Sequence, residues 1–480
     1  MKNHRDQVQD TPVLGDVKRD PAVHKLIGLL HNLTADKGAS TPDGSTRDVL
    51  SAIEELLLEL TPGAPLYAAF HDGQVHDPLG AGAYAFRDDF IGAILLGLAN
   101  DEISGASSRD EDAASVIPTR PIIFHAGAQP NNSPHCGTLV VFCYTFAVAR
   151  AVKDRLEARA AGMAPPVSVE ITLVDTAPVS GEGIEVDGIQ YQSSYRDVPN
   201  ALDTCIADYR EVLAQLSIWS GIPVRTTFQR DFFSQAHMPS LVSYLVANHK
   251  SLGRQLSPTY GTLALRAACP VAGCHLAEKH GRLNQYTYQT TLPRKPAEPE
   301  PSKPAAAITF QCPRHGPHTI TTSSPDAVAR LEANAPTRNL LRSMAHLLDT
   351  DTHHVRITGA DYAGMYQETF LYRPLAAWSA ATGLARGRTP HILYAPLVVD
   401  WSGAKLSKSL YVREGGYAAM RLFGSDGLCS YARLKEQVGE EGLRRLWDEV
   451  VRWVADPRKL FRCWSVEYLH RAVIKGEVVG

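Results

Sequence analysis

The pattern of apolar and polar positions changes character several times along the chain. Val49–Leu60 carries apolar residues at helical spacing and Asp89–Ala99 repeats the pattern, which predicts a mostly helical N-terminal region. Asn100–Ser115 is acidic and serine-rich and reads as a surface linker. From Pro121 the pattern becomes strand, loop, helix, strand. Pro121–Phe124 is a short apolar strand, a Gly/Pro/Asn loop follows, a long helix runs to about Ala160, and Val167–Thr176 is a β-branched strand. A helix over Ala201–Trp219, a strand over Ile222–Phe228 and a helical stretch over Ser240–Leu256 come next. Much later, His354–Thr358 and His391–Val399 read as two more buried strands.

Repeated βαβ units predict an α/β fold with a parallel sheet and helical crossovers. Because foreign material separates its halves, the fold expected is a split Rossmann-like sheet with a zinc-ribbon-like insertion, a helical N-terminal region and a short helical C-terminal tail. The predicted boundaries are 1–115, 116–260 for the first half, 261–322 for the insertion, 323–415 for the second half and 416–480 for the tail. The first 20 or so residues read as a mobile tail and Pro293–Ala307 as a stiff, solvated loop.

Composition narrows the function classes. With 44% hydrophobic and 21% charged residues the chain is globular rather than disordered. Lys plus Arg at 48 against Asp plus Glu at 51 excludes a whole-protein electrostatic attraction to nucleic acid or anionic membrane. Met1–Asp20 is polar, without the apolar core of a signal peptide, and no apolar run approaches the roughly 20 residues that span a bilayer. These features predict a soluble, cytoplasmic protein with no membrane partner. Eight cysteines are too sparse for a disulfide scaffold.

Three groups of residues can carry chemistry. The loop over Gly127–Thr138 ends in His135, Gly137 and Thr138 at a helix start, where an imidazole, a small residue and backbone N–H groups suit an anion. Without chemistry, Pro134 and Gly137 make a tight turn that His135 caps. The second group is Asp400–Leu410, where Lys405 and Lys408 alternate with Ser407 and Ser409 after a strand and can clamp a polyphosphate; a lysine pair on a loop is otherwise solvated surface. The third is Cys269-x4-Cys274 with Cys312-x2-His315, two pairs of soft ligands on tight turns that suit a structural Zn2+. His275, His280 and His318 compete for the fourth position, and a metal-free hairpin of reduced cysteines is the plainer alternative.

The segment HCGT at 135–138 resembles the HIGH signature, and KLSKS at 405–409 the KMSKS signature, of class I aminoacyl-tRNA synthetases. The long first helix, the cysteine-bearing GTLALRAACPVAGC and GADY at 359–362 look most like the archaeal-type class I lysyl-tRNA synthetase, over roughly residues 118–415. The resemblance implies that an amino-acid carboxylate attacks the α-phosphate of ATP, with Mg2+, before transfer to tRNA. His135 would then contact the phosphates, Gly137 would admit the nucleotide, and Lys408 would stabilise the transition state with help from Lys405. Gly127, Thr138, Ser407 and Ser409 would line the nucleotide, and Asp361 would face the ribose or the substrate amine. A lysine substrate would want a carboxylate, for which Asp175, Asp361 and Glu368 are candidates; Asp175 reads equally as a helix N-cap. Thr138 stands where the signature has its second histidine. Residues 410–480 hold 12 Lys plus Arg against 10 Asp plus Glu, short and weakly basic for an anticodon-binding domain. Two further functions therefore stay open: a tRNA-independent ligase that acylates a small amine or thiol, and a catalytically silent, synthetase-like RNA- or ligand-binding protein.

Overall fold

The computed structural model describes residues 89–103, 117–159, 162–288, 306–382, 390–406 and 416–478. The expected helix over Val49–Leu60 and most of the Asn100–Ser115 and Pro293–Ala307 segments lie outside them. Where these segments are described, their edges are ordered: helix α1 (Phe90–Ile103) takes the first residues of the expected linker, and a strand begins at Ala306.

A five-stranded, wholly parallel sheet forms the centre. Its strands are β1 (Ile122–Ala128), β2 (Val167–Leu173), β5 (Val224–Phe228), β12 (His353–Gly359) and β13 (His391–Ala395), in the order β13-β12-β1-β2-β5. The two halves of the chain thus meet between β1 and β12, paired from Ile122 against His353 to His125 against Arg356. The strand order reverses there, and open α/β sheets bind ligands at the carboxyl ends of strands at such a point.

Helix α2 (Cys136–Arg159) crosses from β1 to β2. Leu139, Val140, Phe142, Phe146 and Val152 are all buried, so it is apolar around much of its circumference and is the core helix. Contrary to the expectation from sequence, it is long and apolar enough to cross a membrane by length and composition; 67% of its most apolar window is buried in the protein. Helix α3 (Asp203–Ser220) leads to β5. The apolar face of α4 (Glu441–Ala455), with Leu446, Trp447, Val450 and Trp453, joins the same core, and Trp453 stacks on Trp464 at 4.7 Å. The C-terminal segment therefore completes the core around α2.

Two stretches interrupt the sheet. Strands β3 (Pro178–Val186) and β4 (Ile189–Ser194) form a hairpin not anticipated from sequence. The cysteine-bearing insertion supplies β6 (Leu265–Ala267), β7 (Ala277–Glu278), which pairs with β4, and the antiparallel β8 (Gln285–Tyr288), β9 (Ala306–Cys312) and β10 (Gly316–Thr321). Strand β11 (Leu331–Ala333) pairs with β6, where buried Glu332 meets Arg266 at 2.7 Å and Arg196 at 3.3 Å. After it comes helix α5 (Ala335–Leu348), in chain order between β11 and β12, begun by Asn334, whose side chain accepts the Thr337 N–H at 3.0 Å.

One carboxylate fastens α1 to this frame. Glu102 accepts the Thr119 N–H at 2.8 Å, the Thr119 hydroxyl at 2.7 Å and the Arg120 N–H at 3.1 Å, and lies 2.6 Å from His353 Nε2. Burial alone would raise its pKa, but these hydrogen bonds outweigh burial and hold it at about 2, against an ordinary 4.5. A depressed carboxyl stabilises the fold above its unfolded value and loses that contribution as pH falls through the folded one. Glu102→Gln is expected to cost about 1–2 kcal/mol at neutral pH and to flatten the decline in urea midpoint between about pH 5 and 2; a parallel decline in both proteins would refute this.

Candidate active site

Two of the groups singled out from sequence lie beyond the carboxyl ends of the strands: His135 after β1, and Asp361 with Lys405 after β12. Strand β1 ends at Ala128, and the loop after it reaches α2 with His135 half-buried just before the first turn. The Gly137 N–H donates to His135 Nδ1 at 3.1 Å. An accepting Nδ1 carries no proton, so this contact puts the ring proton of the neutral imidazole on Nε2 and makes that atom a donor. The carbonyl of His135 accepts from Thr138 at 2.8 Å and Leu139 at 3.0 Å, which holds the helix start in place. A side chain at Gly137 would crowd the imidazole: a Cβ would lie 2.8 Å from His135 Cε1 and 3.1 Å from Nδ1. Beside this loop a cleft of about 580 Å3 is lined by Asn131, Ser133, Tyr195, Asn200, Asp208 and Arg433.

On the other side of the switch point, β12 runs into a single 3-10 turn, Ala360–Tyr362, which presents Asp361. Lys405 Nζ lies 2.5 Å from Asp361 Oδ2. The Lys405 loop is shaped by Asp400, whose Oδ1 accepts from the Ser402 N–H at 2.8 Å, the Ser402 hydroxyl at 2.6 Å and the Ala404 N–H at 3.0 Å. Lys408, Ser407 and Ser409 lie outside the described residues.

The remaining carboxylates proposed from sequence have other partners. Asp175 is fully buried, 3.0 Å from Arg230 Nε and accepting the Arg230 N–H at 3.1 Å; burial raises its pKa and Arg230 opposes that rise. Glu368, on a π-helical turn over Glu368–Tyr372, is buried and 3.3 Å from Arg373. With Asp361 on Lys405, each of the three already faces a cation.

The four side chains proposed from sequence as metal ligands lie together. Cys269, Cys274, Cys312 and His315 bring their ligand atoms within 4.8 Å of one another. Cys274 and Cys312 sulfurs are 3.7 Å apart, and His315 Nδ1 is 3.4 Å from Cys269 Sγ and 3.7 Å from Cys312 Sγ. Zinc–sulfur bonds of about 2.3 Å in a tetrahedron put sulfurs about 3.8 Å apart, so the donor set fits a tetrahedral divalent ion and is far from a disulfide. Burial pushes the Cys312 thiol up, but the N–H groups of Arg314 and His315 outweigh it and hold the thiol below its ordinary value. His318 stacks on Phe310 and His280 packs tilted against Tyr260, and neither belongs to this set.

Two polar groups were not anticipated, and both lie between α5 and the sheet. His125, His346 and His354 form a cluster, with His125 Nε2 2.8 Å from His354 Nδ1 and His346 stacked on His354 at 4.2 Å. Nearer the strand ends are Arg342 and Arg338, one and two turns before His346 on α5, together with Arg356 of β12. The repeat of Arg338, Arg342 and His346 at steps of four is the one trace of this face in the sequence.

No known protein family and no curated protein matches the chain. Among solved structures, similarity is found to a glutamate tRNA ligase of Elizabethkingia meningosepticum in complex with its amino acid, at 11% identity and TM-score 0.25, over 61% of this chain and 53% of that one. A glutamate-tRNA synthetase of Elizabethkingia anophelis gives 10% identity and TM-score 0.24, over 62% and 54%. The chain thus spans about half the length of these two. A putative arginyl tRNA synthetase of Campylobacter jejuni gives 10% and 0.25, over 82% and 92%. Similarity at this level leaves function to be read from the chain's own residues.

Proposed function

We propose that this chain activates an amino acid with ATP, forming an aminoacyl-adenylate and releasing pyrophosphate. The observation that carries the reading is the placement of His135 and of the Lys405–Asp361 pair after strands that flank the switch point of a parallel sheet. In the reaction the amino-acid carboxylate oxygen bonds to the α-phosphorus as the bond to pyrophosphate breaks, and charge accumulates on phosphate oxygens. His135 Nε2–H and the N–H groups opening α2 donate to those oxygens, while Lys405, with Lys408 three residues on, supplies positive charge. Asp361 positions Lys405 and takes the ribose or the substrate amine. Magnesium accompanies the phosphates as part of the substrate. Zinc at Cys269, Cys274, Cys312 and His315 holds the insertion together and takes no part in the chemistry. The acyl group passes to tRNA, as the two sequence motifs imply; charging of total tRNA, run beside small amine acceptors, tests that step.

Amino-acid-dependent pyrophosphate exchange, with and without total tRNA, tests activation. Gly137→Ala provides an internal control on geometry, because the added methyl must displace the His135 ring. It is expected to lower exchange about tenfold with an unchanged melting midpoint. Undiminished exchange would remove His135 from the mechanism.

A further inference from the structure

Arg356 is 7% exposed, and its Nη1 has no hydrogen-bond partner. Arg342 donates from Nη2 to Gln229 Oε1 at 2.7 Å and lies over the Phe232 ring; the fully buried Gln229 is left with its Nε2 unpartnered. Arg338 donates to the Ala333 carbonyl at 3.3 Å. No carboxylate among the described residues forms an ion pair with any of the three arginines. Burial lowers all three guanidinium pKa values, and repulsion from neighbouring arginines adds to it at Arg338, lowered to about 10, and at Arg342, lowered to about 9. Cations without an ion-pair partner and two buried donors with no acceptor are costly, which marks the group as a candidate ligand site.

The location says which ligand. Gly127, at the carboxyl end of β1, is exposed, and a Cβ there would sit 3.9 Å from Arg342 Nη1, so the missing side chain opens the crevice above that guanidinium. Arg356 lies three residues before Gly359 at the end of β12, about 10 Å below the strand ends. Lys405 and Asp361 stand beyond those ends. A phosphate held by Lys405 stays at the edge, whereas a side chain of the molecule being activated reaches downward. Tyr362 and Tyr366, next after the strand, pack edge to face at 4.8 Å, close to the Arg338 and Arg356 guanidiniums.

We infer that Arg356, Arg342 and Gln229 form the specificity pocket of the activating site, and that it selects an amino acid whose side chain ends in a carboxylate. This rests on the activation proposed above. The carboxylate accepts from Arg356 Nη1 and Gln229 Nε2 and neutralises the arginine group, while a lysine side chain would add a fourth cation.

Calorimetric titration of the full, metal-loaded chain with glutamate, aspartate, glutamine and lysine, in the presence of a non-hydrolysable ATP analogue, tests the pocket. Glutamate or aspartate should bind and lysine should not. Arg356→Met and Arg342→Met should each weaken that binding about a hundredfold with unchanged circular dichroism and metal content. The inference falls if lysine or glutamine binds as well as the acids, if neither acid binds, or if both folded variants keep full affinity; should the variants not fold, the wild-type profile decides alone. Exchange on the same preparation separates the two claims. Exchange driven by a non-acidic amino acid overturns the pocket and leaves activation standing, whereas acid binding without any exchange overturns activation and leaves the pocket.

Discussion

Lys408→Ala is expected to lower amino-acid-dependent pyrophosphate exchange about 10²–10³-fold, with the melting midpoint and zinc content unchanged. The size follows from the state of its neighbour. Lys405 Nζ is held at 2.5 Å by Asp361, so part of its charge is already neutralised when ATP arrives. On the activation proposed above, Lys408, three residues further along the sequence, is left as the main cation for charge that appears in the transition state. Lys405→Ala should cost less, about tenfold. Equal losses in the two variants would show that the Asp361 contact breaks before reaction, and an unaffected Lys408→Ala enzyme would remove the loop from the chemistry.

The second large effect concerns stability. Cys312→Ser should abolish tight zinc binding, and the thermal midpoint should fall by roughly 10 °C or more, because metal-binding free energy is folding free energy where a segment has little core of its own. The apolar cluster around the ligands is small: Ile189, Tyr191 and Leu276 are its buried members besides the three cysteines. Hydrogen exchange should show the loss over residues 261–288 and 306–322 before the parallel sheet opens. Cys463→Ser is the control, since that thiol is exposed and apart from the ligand set. Metal analysis of both proteins checks the expectation, and full metal content in Cys312→Ser would contradict it.

How much of this was legible in the sequence depended on whether the signal was local. The strands of the central sheet announced themselves as apolar, β-branched runs, and α2 as a long apolar helix. The β3–β4 hairpin carried its turn signal in Asp187-Gly188, both at positive φ, but the apolar alternation beside it is short, Ile184 and Val186 before the turn and Ile189 and Tyr191 after it. The clustering of Cys269, Cys274, Cys312 and His315 was readable because each pair is close in sequence. His135 and Lys405 stood out as candidates because each sits in a short motif after a strand. The arginine pocket was not, since Arg356, Arg342 and Gln229 come from three separate elements and only the tertiary fold brings them together. For the same reason the partners of the candidate carboxylates were not legible: Asp175, Asp361 and Glu368 look free in a linear reading, and the fold sets Arg230, Lys405 and Arg373 beside them.

The products formed from ATP test the central claim most directly. Incubating the zinc-loaded chain with ATP, Mg2+, pyrophosphatase, total tRNA and an amino-acid mixture, then resolving the nucleotides, should give AMP that depends on the amino acids, together with an aminoacyl-adenylate mass in a rapidly quenched sample. ATP left intact by the full mixture, or ADP as the product, would contradict the account.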